Sequence, residues 1–394
     1  MYRVFFVILM SLASALAVMV CRNAAWSYPL FPTKHGADCL SCHGEEPLKL
    51  EGEVPLWKRS CSLHCNSCHV NPTGGGLRNR FARYYARNRG TTFPLPFMEA
   101  IEDKRQKVER FIQVGGDLRY AHVEPDRGEE INFYMHREYY IALHPFPYIT
   151  LYYQNGRYPE GVERRRENFL LVRDLPFQSH VKVGRFIPPF GLRVPDHTAF
   201  VRDRLNLGHF DWVEGLEVGT NPLIPFLNAA VFNEMANEAF GRDATGFSVN
   251  AGVKALHMAY RITFGLGGQY FRADSSERNT QIQGFHGMLG FWRMSWNFEW
   301  DERQIEERTP SIQTETRAVY SLLNFELYRG VDLFFQYDFL DPDLKIRDDH
   351  RHRYTLGVSL HPVEMLELEF RWRYQVETPD VENDEWMVQI HLWL

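Results

Sequence analysis

Residues 366–375, LELEFRWRYQ, alternate between two chemical classes of side chain. One class is apolar and consists of Leu366, Leu368, Phe370, Trp372 and Tyr374. The other is charged or amide-bearing and consists of Glu367, Glu369, Arg371, Arg373 and Gln375. Successive side chains of a β-strand point to opposite faces of the sheet, so this alternation predicts a strand with one apolar and one polar face. Residues 294–301 and 354–361 repeat the pattern.

Period-two alternation continues through residues 111–394 and defines sixteen candidate strands. Their predicted bounds are 111–123, 131–144, 148–154, 165–173, 180–187, 212–220, 226–233, 246–255, 258–272, 280–291, 294–301, 314–328, 331–340, 353–361, 366–376 and 384–394. Alternation alone does not decide whether the apolar faces meet lipid or each other, because an antiparallel sheet in water shows the same pattern.

The lengths of the connections decide between these two environments. Short turns fall at 145–147, 174–177, 221–225, 256–257, 292–293, 329–330 and 362–365, and longer polar links lie between them. An even number of strands with alternating short and long connections is typical of outer-membrane barrels. A soluble β-sandwich, the alternative, gives no reason for this alternation. We therefore predict an all-β fold, a 16-stranded antiparallel outer-membrane β-barrel over residues 111–394, with its short turns in the periplasm.

The longest outer link, residues 188–211, is rich in charged and titratable side chains. They are Arg193, Asp196, His197, Arg202, Asp203, Arg204, His209 and Asp211. In general porins a charged third loop folds inward and narrows the pore. Residues 188–211 either do the same or form a solvated external loop, and the sequence favours neither.

Ahead of the barrel, the pattern Cys-x-x-Cys-His occurs twice. It is formed by Cys39, Cys42 and His43, and again by Cys65, Cys68 and His69. This spacing is the attachment signature of c-type haem, in which two thiols hold one porphyrin and the adjacent His faces the iron. We therefore predict two covalently bound c-type haems, with His43 and His69 as proximal iron ligands. The dihaem cytochrome c segment is expected to cover residues 28–92 and to be small and mostly irregular or helical.

Two other interpretations of these four cysteines fit less well. Two Cys-x-x-Cys pairs can form a closed zinc site, but here each pair is followed at once by His, and the chain carries an export signal. Disulfides leave both His residues unexplained, and a redox Cys-x-x-Cys needs a βαβ setting that the sequence lacks.

The second axial ligand of each iron is predicted by counting. Residues 27–96 contain no Met and four His: the two proximal residues, His35 and His64. His64 is adjacent to Cys65 and is poorly placed to fold back onto its own haem. We therefore assign His64 to the first haem and His35 to the second. There are two alternatives, a surface position for either residue or its replacement by a barrel His, and spacing alone leaves them open.

Residues 1–27 predict a secretory signal, with Arg3 at its positive end and an apolar core at residues 4–20. The apolar run is also long enough for an uncleaved membrane anchor, so both fates stay open. Export agrees with the haem motifs, because c-type haem is attached outside the cytoplasm. Cys21 belongs to the signal, and Cys61 is left without an assigned role.

Two helical stretches join the haem segment to the barrel. Residues 77–89, LRNRFARYYARNR, predict a short amphipathic helix rich in Arg. Its Arg side chains either are solvated or pair with haem propionates or acidic groups of the lumen. Residues 93–110 predict a charged helical linker at the domain boundary.

The composition sets limits on the class of protein. A net charge of −6 with 24% charged residues indicates no nucleic-acid partner. An aromatic content of 14%, with few helix signals, favours β-structure and aromatic girdles at a membrane interface.

The start of the mature chain resembles that of the fused cytochrome c–porin family, known for outer-membrane iron oxidases. The resemblance rests on Pro29, Phe31, Gly36 and the first haem motif, with a porin-sized barrel after them. That family carries one haem, whereas this chain has a second signature at Cys65. A dihaem segment beside a porin-like barrel is also similar to the porin–cytochrome conduits of metal-reducing bacteria, which use separate subunits.

These features predict a dihaem cytochrome–porin in the outer membrane of a Gram-negative bacterium, with its haem segment periplasmic or inside the lumen. The expected function is electron conduction between periplasmic c-type cytochromes and extracellular metal ions or minerals, within outer-membrane lipid. An electron-transfer protein is favoured over a classified enzyme, with Fe(II) oxidase or Fe(III) reductase activity as the enzymatic alternative. The alternative is a porin whose periplasmic haem segment accepts electrons or acts as a sensor. A haem enzyme such as a peroxidase needs an open axial position, which the two spare His residues argue against.

Overall fold

A computed structural model of the chain describes residues 69–157, 163–194, 196–208, 211–222, 224–241, 243–257, 262–377 and 383–394. The predicted signal, residues 1–27, lies outside these ranges. The helices are α1 (Arg80–Tyr85), continued by a π-helical turn (Ala86–Gly90), α2 (Phe97–Glu109) and α3 (Phe200–Asp203), with 3₁₀ turns at Pro176–Gln178 and Glu238–Phe240. None of the helices in these ranges is long and apolar enough to cross a membrane.

Sixteen β-strands make up most of the described chain. They are β1 (Ile112–Pro125), β2 (Ile131–Phe146), β3 (Ile149–Arg157), β4 (Glu163–Leu175), β5 (Ser179–Phe186), β6 (Val213–Thr220), β7 (Pro225–Met235), β8 (Thr245–His257), β9 (Ile262–Asp274), β10 (Arg278–Phe291), β11 (Met294–Arg308), β12 (Ser311–Tyr328), β13 (Val331–Asp341), β14 (Arg351–Val363), β15 (Leu366–Val376) and β16 (Glu385–Trp393).

The strands form one closed barrel. Each pairs antiparallel with its neighbours in sequence, and β1 also pairs with β16. Across this seam Asp117 lies opposite Trp393, and Arg119 lies opposite His391. Closure leaves no strand edge unpaired. The predicted all-β fold with a 16-stranded antiparallel barrel is therefore confirmed.

The two faces of the sheet differ as the alternation predicted. On β15, Phe370 is 47% exposed on the outside of the barrel, whereas Arg371 is 8% exposed on the inside. Aromatic side chains also meet on the outer face, where the ring centroids of Trp372 and Trp386 are 6.2 Å apart. An apolar outer surface around buried polar side chains is the arrangement of a barrel that faces lipid.

The connections differ from the prediction in two places. Residues 256–257, predicted as a short turn, belong to β8. The link expected after residue 301 is much shorter, because β11 continues to Arg308 and β12 begins at Ser311. Opposite charges meet across this extension: Glu302 lies opposite Arg317 in the register, and their side chains are 2.6 Å apart. The polar residues predicted as a link therefore extend the hairpin of β11 and β12 beyond the apolar band.

The predicted helix at residues 77–89 begins three residues later, at Arg80. Residues 77–79 are extended because Arg78 forms a β-bridge with His69, and Asn79 then caps α1 by accepting a hydrogen bond from the Ala82 amide at 3.0 Å. Arg83 forms ion pairs with Glu102 and Glu109 of α2, at 2.7 and 2.6 Å. The acidic partners of Arg83 thus come from α2.

The chain between α1 and α2 is fixed to the short-turn end of the barrel. The amides of Thr92 and Phe93 donate to the carbonyls of His361 and Pro362, at 2.9 and 2.8 Å. Arg87 also pairs with Glu364, in the short turn between β14 and β15, at 3.0 Å. The segment that joins α1 to α2 is therefore anchored at the short-turn end of the barrel.

Replacing Phe370 by Arg is expected to lower the free energy of unfolding in phospholipid by about 2–4 kcal/mol, because it puts a charge in the middle of the apolar band. Phe370→Leu keeps apolar surface and should change it by less than about 1.5 kcal/mol. Denaturant unfolding in lipid vesicles, followed by Trp fluorescence, measures both. Equal effects of the two variants would contradict a lipid-facing outer surface.

Candidate functional site

The residues after the second haem motif form a tight loop. The amide of Val70 donates to the Leu77 carbonyl at 3.0 Å, and the bridge between His69 and Arg78 extends this pairing. Three consecutive glycines, residues 74–76, have φ values of 89°, 81° and 61°. This left-handed backbone is favourable only for glycine in a run of three, which explains the sequence of the turn.

This loop, residues 69–78, lies in the barrel lumen against β3, β4 and β5. Asn71 donates to Glu167 at 3.0 Å, and the Leu77 amide donates to the Tyr152 hydroxyl at 3.1 Å. Lys182 donates to Thr73 Oγ1 at 2.9 Å. The side chains of Val70 and Leu77 join the buried apolar cluster of the barrel. The chain that follows the second motif is therefore held by inward-facing side chains of the wall.

His69 is the one predicted haem residue within the described part of the chain. The pKa of His69 is lowered from 6.5 to about 3, first by burial and then by the guanidinium groups of Arg78 and Arg193, against the opposing effect of hydrogen bonds to the backbone of Gly75 and Gly76. The imidazole is therefore neutral at pH 7. Its Nδ1 is shielded from solvent and has no hydrogen-bond partner among the described residues.

The surroundings of His69 fit the predicted haem. A neutral imidazole is the form that binds iron. A Cβ placed on Gly75 would meet no atom of the described chain within 4 Å, so the turn leaves space beside it. Arg78 and Arg193 supply guanidinium groups of the kind that pair with propionate carboxylates. The other predicted haem residues lie outside the described ranges, and their roles stay predictions: Cys39, Cys42, His43, Cys65, Cys68, His35 and His64.

The charged link between β5 and β6 folds into the barrel. Asp196 lies 2.7 Å from Arg373, 3.5 Å from Arg371 and 4.0 Å from Arg353, all on the opposite wall. Burial alone would raise the pKa of Asp196, but these three guanidinium groups lower it well below 3.8. Of the two arrangements that the sequence left open for this link, the inward one is correct.

Further contacts fix this inward loop along its length. Arg202 pairs with Glu299 of β11 at 2.7 Å, and the Leu192 amide donates to the same carboxylate at 2.8 Å. Arg193 donates to the Thr73 carbonyl at 3.2 Å, so the inward loop touches the loop that carries His69. A cavity of about 60 Å³ remains where the two meet, lined in part by Pro72, Thr73, Phe190 and His286. Both loops therefore lie in the lumen and touch each other there.

The structure also brings together a cluster that the sequence analysis missed. Asp117, His136 and His391 place one donor atom each within 4.8 Å of one another inside the barrel, and Glu367 contacts His391. The sequence did indicate Glu367 as an inward polar residue. It gave no sign of the cluster, because Asp117 and His391 are 274 positions apart and meet only across the closing seam.

No protein-family model and no curated protein sequence matches the chain. Solved outer-membrane proteins match its fold. They include a loop L8 deletion mutant of OmpT from Vibrio cholerae, with a TM-score of 0.57 and 10% identity over 72% of this chain and 99% of that chain. OmpF of Salmonella typhi in complex with daunomycin gives 0.55 and 8%, over 72% and 97%. An anion-selective porin from Comamonas acidovorans gives 0.52 and 10%, over 72% and 98%. At these identities the similarity shows that the chain has the barrel fold of outer-membrane porins.

Asp196→Asn is expected to lower the free energy of unfolding by about 3 kcal/mol, because it removes the counter-charge shared by three buried guanidinium groups. This loss is at the lower end of the range of about 3–5 kcal/mol for breaking a buried ion pair. The reason is that two of the arginines keep another carboxylate: Arg353 contacts Asp338, and Arg373 contacts Glu385. Residues 187–212 should become more sensitive to proteolysis. Denaturant unfolding and limited proteolysis in detergent micelles measure the two effects.

Asp203→Asn is the matched control, because Asp203 lies in the same loop but is largely exposed beside Arg204. It should change stability by less than about 0.5 kcal/mol. The wild type should lose the Asp196 contribution in acid: the folded pKa is depressed, so the stabilisation is present above the unfolded pKa of about 3.9 and falls as the pH passes through the lower folded pKa. Equal effects of the two substitutions would show that Asp196 does not anchor the loop.

Proposed function

We propose that this chain is a dihaem c-type cytochrome fused to an outer-membrane porin-type barrel, and that it conducts electrons across the outer membrane to or from an extracellular metal partner. The observation that carries the proposal is the path of the chain after the second Cys-x-x-Cys-His motif. Residues 69–78 run inside the lumen and are held by Glu167, Tyr152 and Lys182 of the wall. A cofactor tethered at Cys65 and Cys68, just before this segment in the sequence, would lie in the lumen or at its short-turn mouth.

The dimensions of the membrane explain why such a chain needs both motifs. The apolar band of an outer-membrane barrel is about 25 Å tall, which is too far for one efficient tunnelling step. When bound, haem supplies one-electron chemistry at its iron. Two attachment sites in one chain divide the distance, and the barrel wall keeps lipid away from the charged groups around them. Arg78 and Arg193 would hold propionates beside His69.

Two loops occupy the lumen, and their presence there favours electron transfer over diffusion of solutes through the barrel. In an open porin the inward side chains line a water-filled channel. Here Arg371 and Arg373 of the wall are buried against Asp196 of the inward loop, and Glu167 is buried under the loop that carries His69. We therefore prefer the conduit to the alternative, an outer-membrane porin with a periplasmic electron-accepting or sensory haem segment.

The proposed ligation gives a direction of electron flow. Two His ligands generally place haem iron at a lower potential than a His and a Met do. Ligation by His35 and His64 beside His43 and His69 therefore favours delivery outward, from periplasmic c-type cytochromes to an extracellular acceptor such as a ferric mineral.

Proteoliposomes test the proposed conduction. Dithionite trapped inside should be oxidised by an external ferric chelate when the purified protein is in the membrane and not when it is absent. The double substitution Cys65→Ser and Cys68→Ser should reduce the pyridine haemochrome yield from two haems per chain to one and remove most of the transfer. Cys61→Ser, outside the motif, is the matched control and should leave both unchanged.

Two results would overturn the proposal. One is zinc in place of porphyrin in the purified protein. The other is an open-porin ion conductance in planar bilayers together with no oxidation of the trapped dithionite, which would favour the porin alternative.

The assignment of the second axial ligands has its own test. His64→Ala should convert one haem from six-coordinate low-spin to high-spin, and His35→Ala should do the same to the other, because each substitution removes an axial ligand. Absorption and electron paramagnetic resonance spectra of the two variants measure this. If His64→Ala leaves both haems low-spin, another residue, such as a barrel His, is the ligand.

A further inference from the structure

We propose that the lumen contains a binding site for a divalent first-row transition cation, formed by Asp117, His136 and His391. Nε2 of His136 lies 2.5 Å from Oδ1 of Asp117, and Nε2 of His391 lies 2.8 Å from the same oxygen. Two imidazole nitrogens and one carboxylate oxygen therefore converge on one point.

Little movement is needed for these donors to hold an ion. The three donor atoms lie within 4.8 Å of one another. Metal–ligand distances of about 2.0–2.1 Å in a tetrahedral site separate the donors by about 3.4 Å, so the closer pairs would move apart by less than about 1 Å. In the metal-free arrangement the His side chains donate Nε2 protons to Asp117. A cation would take the place of those protons.

Strand register, rather than loop conformation, sets the geometry of this site. His136 on β2 and His391 on β16 both lie opposite Arg119 of β1, one on each side. Asp117 is two residues before Arg119 and therefore points to the same inward face. His136 is 2% exposed and His391 is 4% exposed. Donors on three adjacent strands of a closed sheet are held more rigidly than donors on loops.

A second carboxylate supports one of the ligands. Oε2 of Glu367 lies 2.9 Å from Nδ1 of His391. A carboxylate on the far nitrogen of a ligating His fixes its orientation and makes the ligand more basic, and this arrangement is common around metal-bound His. Glu367 reaches His391 because the two lie opposite each other in the pairing of β15 and β16.

The charges around the site restrict which cation it suits. Arg119 is close, with Nη1 2.7 Å from Nε2 of His197 and Nη2 3.4 Å from Nδ1 of His391. Its positive charge offsets part of the attraction from Asp117 and Glu367. Ca²⁺ and Mg²⁺ need several oxygen ligands, which the site does not offer. Two imidazoles and one carboxylate instead match Fe²⁺, Mn²⁺, Co²⁺ or Zn²⁺.

The site lies next to the loop that carries His69. The ring centroids of His391 and Trp393 are 4.7 Å apart, and the guanidinium carbon of Arg78 lies 4.4 Å from the Trp393 ring. Arg78 is in turn bridged to His69. A role for the bound cation as an electron-transfer partner rests on the proposed function. Binding of the cation does not rest on it.

Zinc tests the binding alone, because Zn²⁺ is redox-inert. Isothermal titration calorimetry of the full haem-loaded chain in detergent micelles should show one Zn²⁺ per chain in this site, and Ca²⁺ and Mg²⁺ should not compete. Asp117→Asn and His391→Gln should each weaken binding by more than about 100-fold, and Glu367→Gln by about 10–100-fold. Zinc X-ray absorption should show two imidazole ligands in the first coordination shell.

His180→Gln is the matched control, because His180 is another buried lumen His beside a carboxylate, 2.9 Å from Glu217, but with Lys182 in place of a second imidazole. It should leave the Zn²⁺ affinity unchanged. Far-UV circular dichroism and haem content show whether each variant has folded. If a ligand variant fails to fold, Glu367→Gln and the wild-type absorption spectrum decide the outcome.

Three results would overturn the proposed site. They are absence of Zn²⁺ binding, a Zn²⁺ affinity that Asp117→Asn or Glu367→Gln leaves unchanged, and a zinc X-ray absorption spectrum without imidazole ligands. Failure of the proposed function is a different result: the proteoliposomes would not oxidise dithionite, whether or not Zn²⁺ binds.

Discussion

The pairing of β1 with β16 is the interaction on which the rest of this structure depends. In lipid no water is available for the backbone groups of a strand edge, so a sheet that faces lipid has to close. Closure here joins Asp117–Pro125 to the last strand of the chain. It also gives each strand one face that is turned away from lipid and towards the lumen. Where protein takes the place of water in the lumen, polar side chains on that face need partners within the protein.

The two lumen loops meet that need. Buried charges are costly unless they are paired and hydrogen-bonded. Asp196 supplies a counter-charge to arginines of β14 and β15, and Arg202 does the same for Glu299 of β11. On the other side Asn71 and Thr73 satisfy Glu167 and Lys182. These polar side chains, which would face water in an open porin, are thus covered by protein. Residues 69–78 form part of that cover.

How far the sequence predicts this arrangement depends on the range of the interactions. The strands could be predicted, because alternation such as that in residues 366–375 assigns side chains to two faces, and the connection lengths indicated that the apolar face meets lipid. The end of β11 could not, because Glu302 and Arg317 look like loop residues until they are seen opposite each other. The direction of the inward loop also escaped prediction, since Asp196 finds its three arginines 157 to 177 positions later in the chain. Of the predicted haem residues, His69 lies in the described part of the chain. Its neutral imidazole is the form that iron binds, and its role as an iron ligand stays a prediction.

The position of the seam links the first and last strands of the barrel to residues 69–78. Asp117 and His136 come from its first two strands, and Glu367 and His391 from its last two, so this cluster forms only when the cylinder closes. Trp393, at the end of the last strand, then lies between His391 and Arg78. Arg78 is reached from the short-turn end, where the chain is fixed by Thr92 and Phe93. A barrel that failed to close would therefore lose both the cluster of Asp117, His136 and His391 and the wall that holds residues 69–78. Closure thus ties the chemistry in the lumen to complete assembly of the fold.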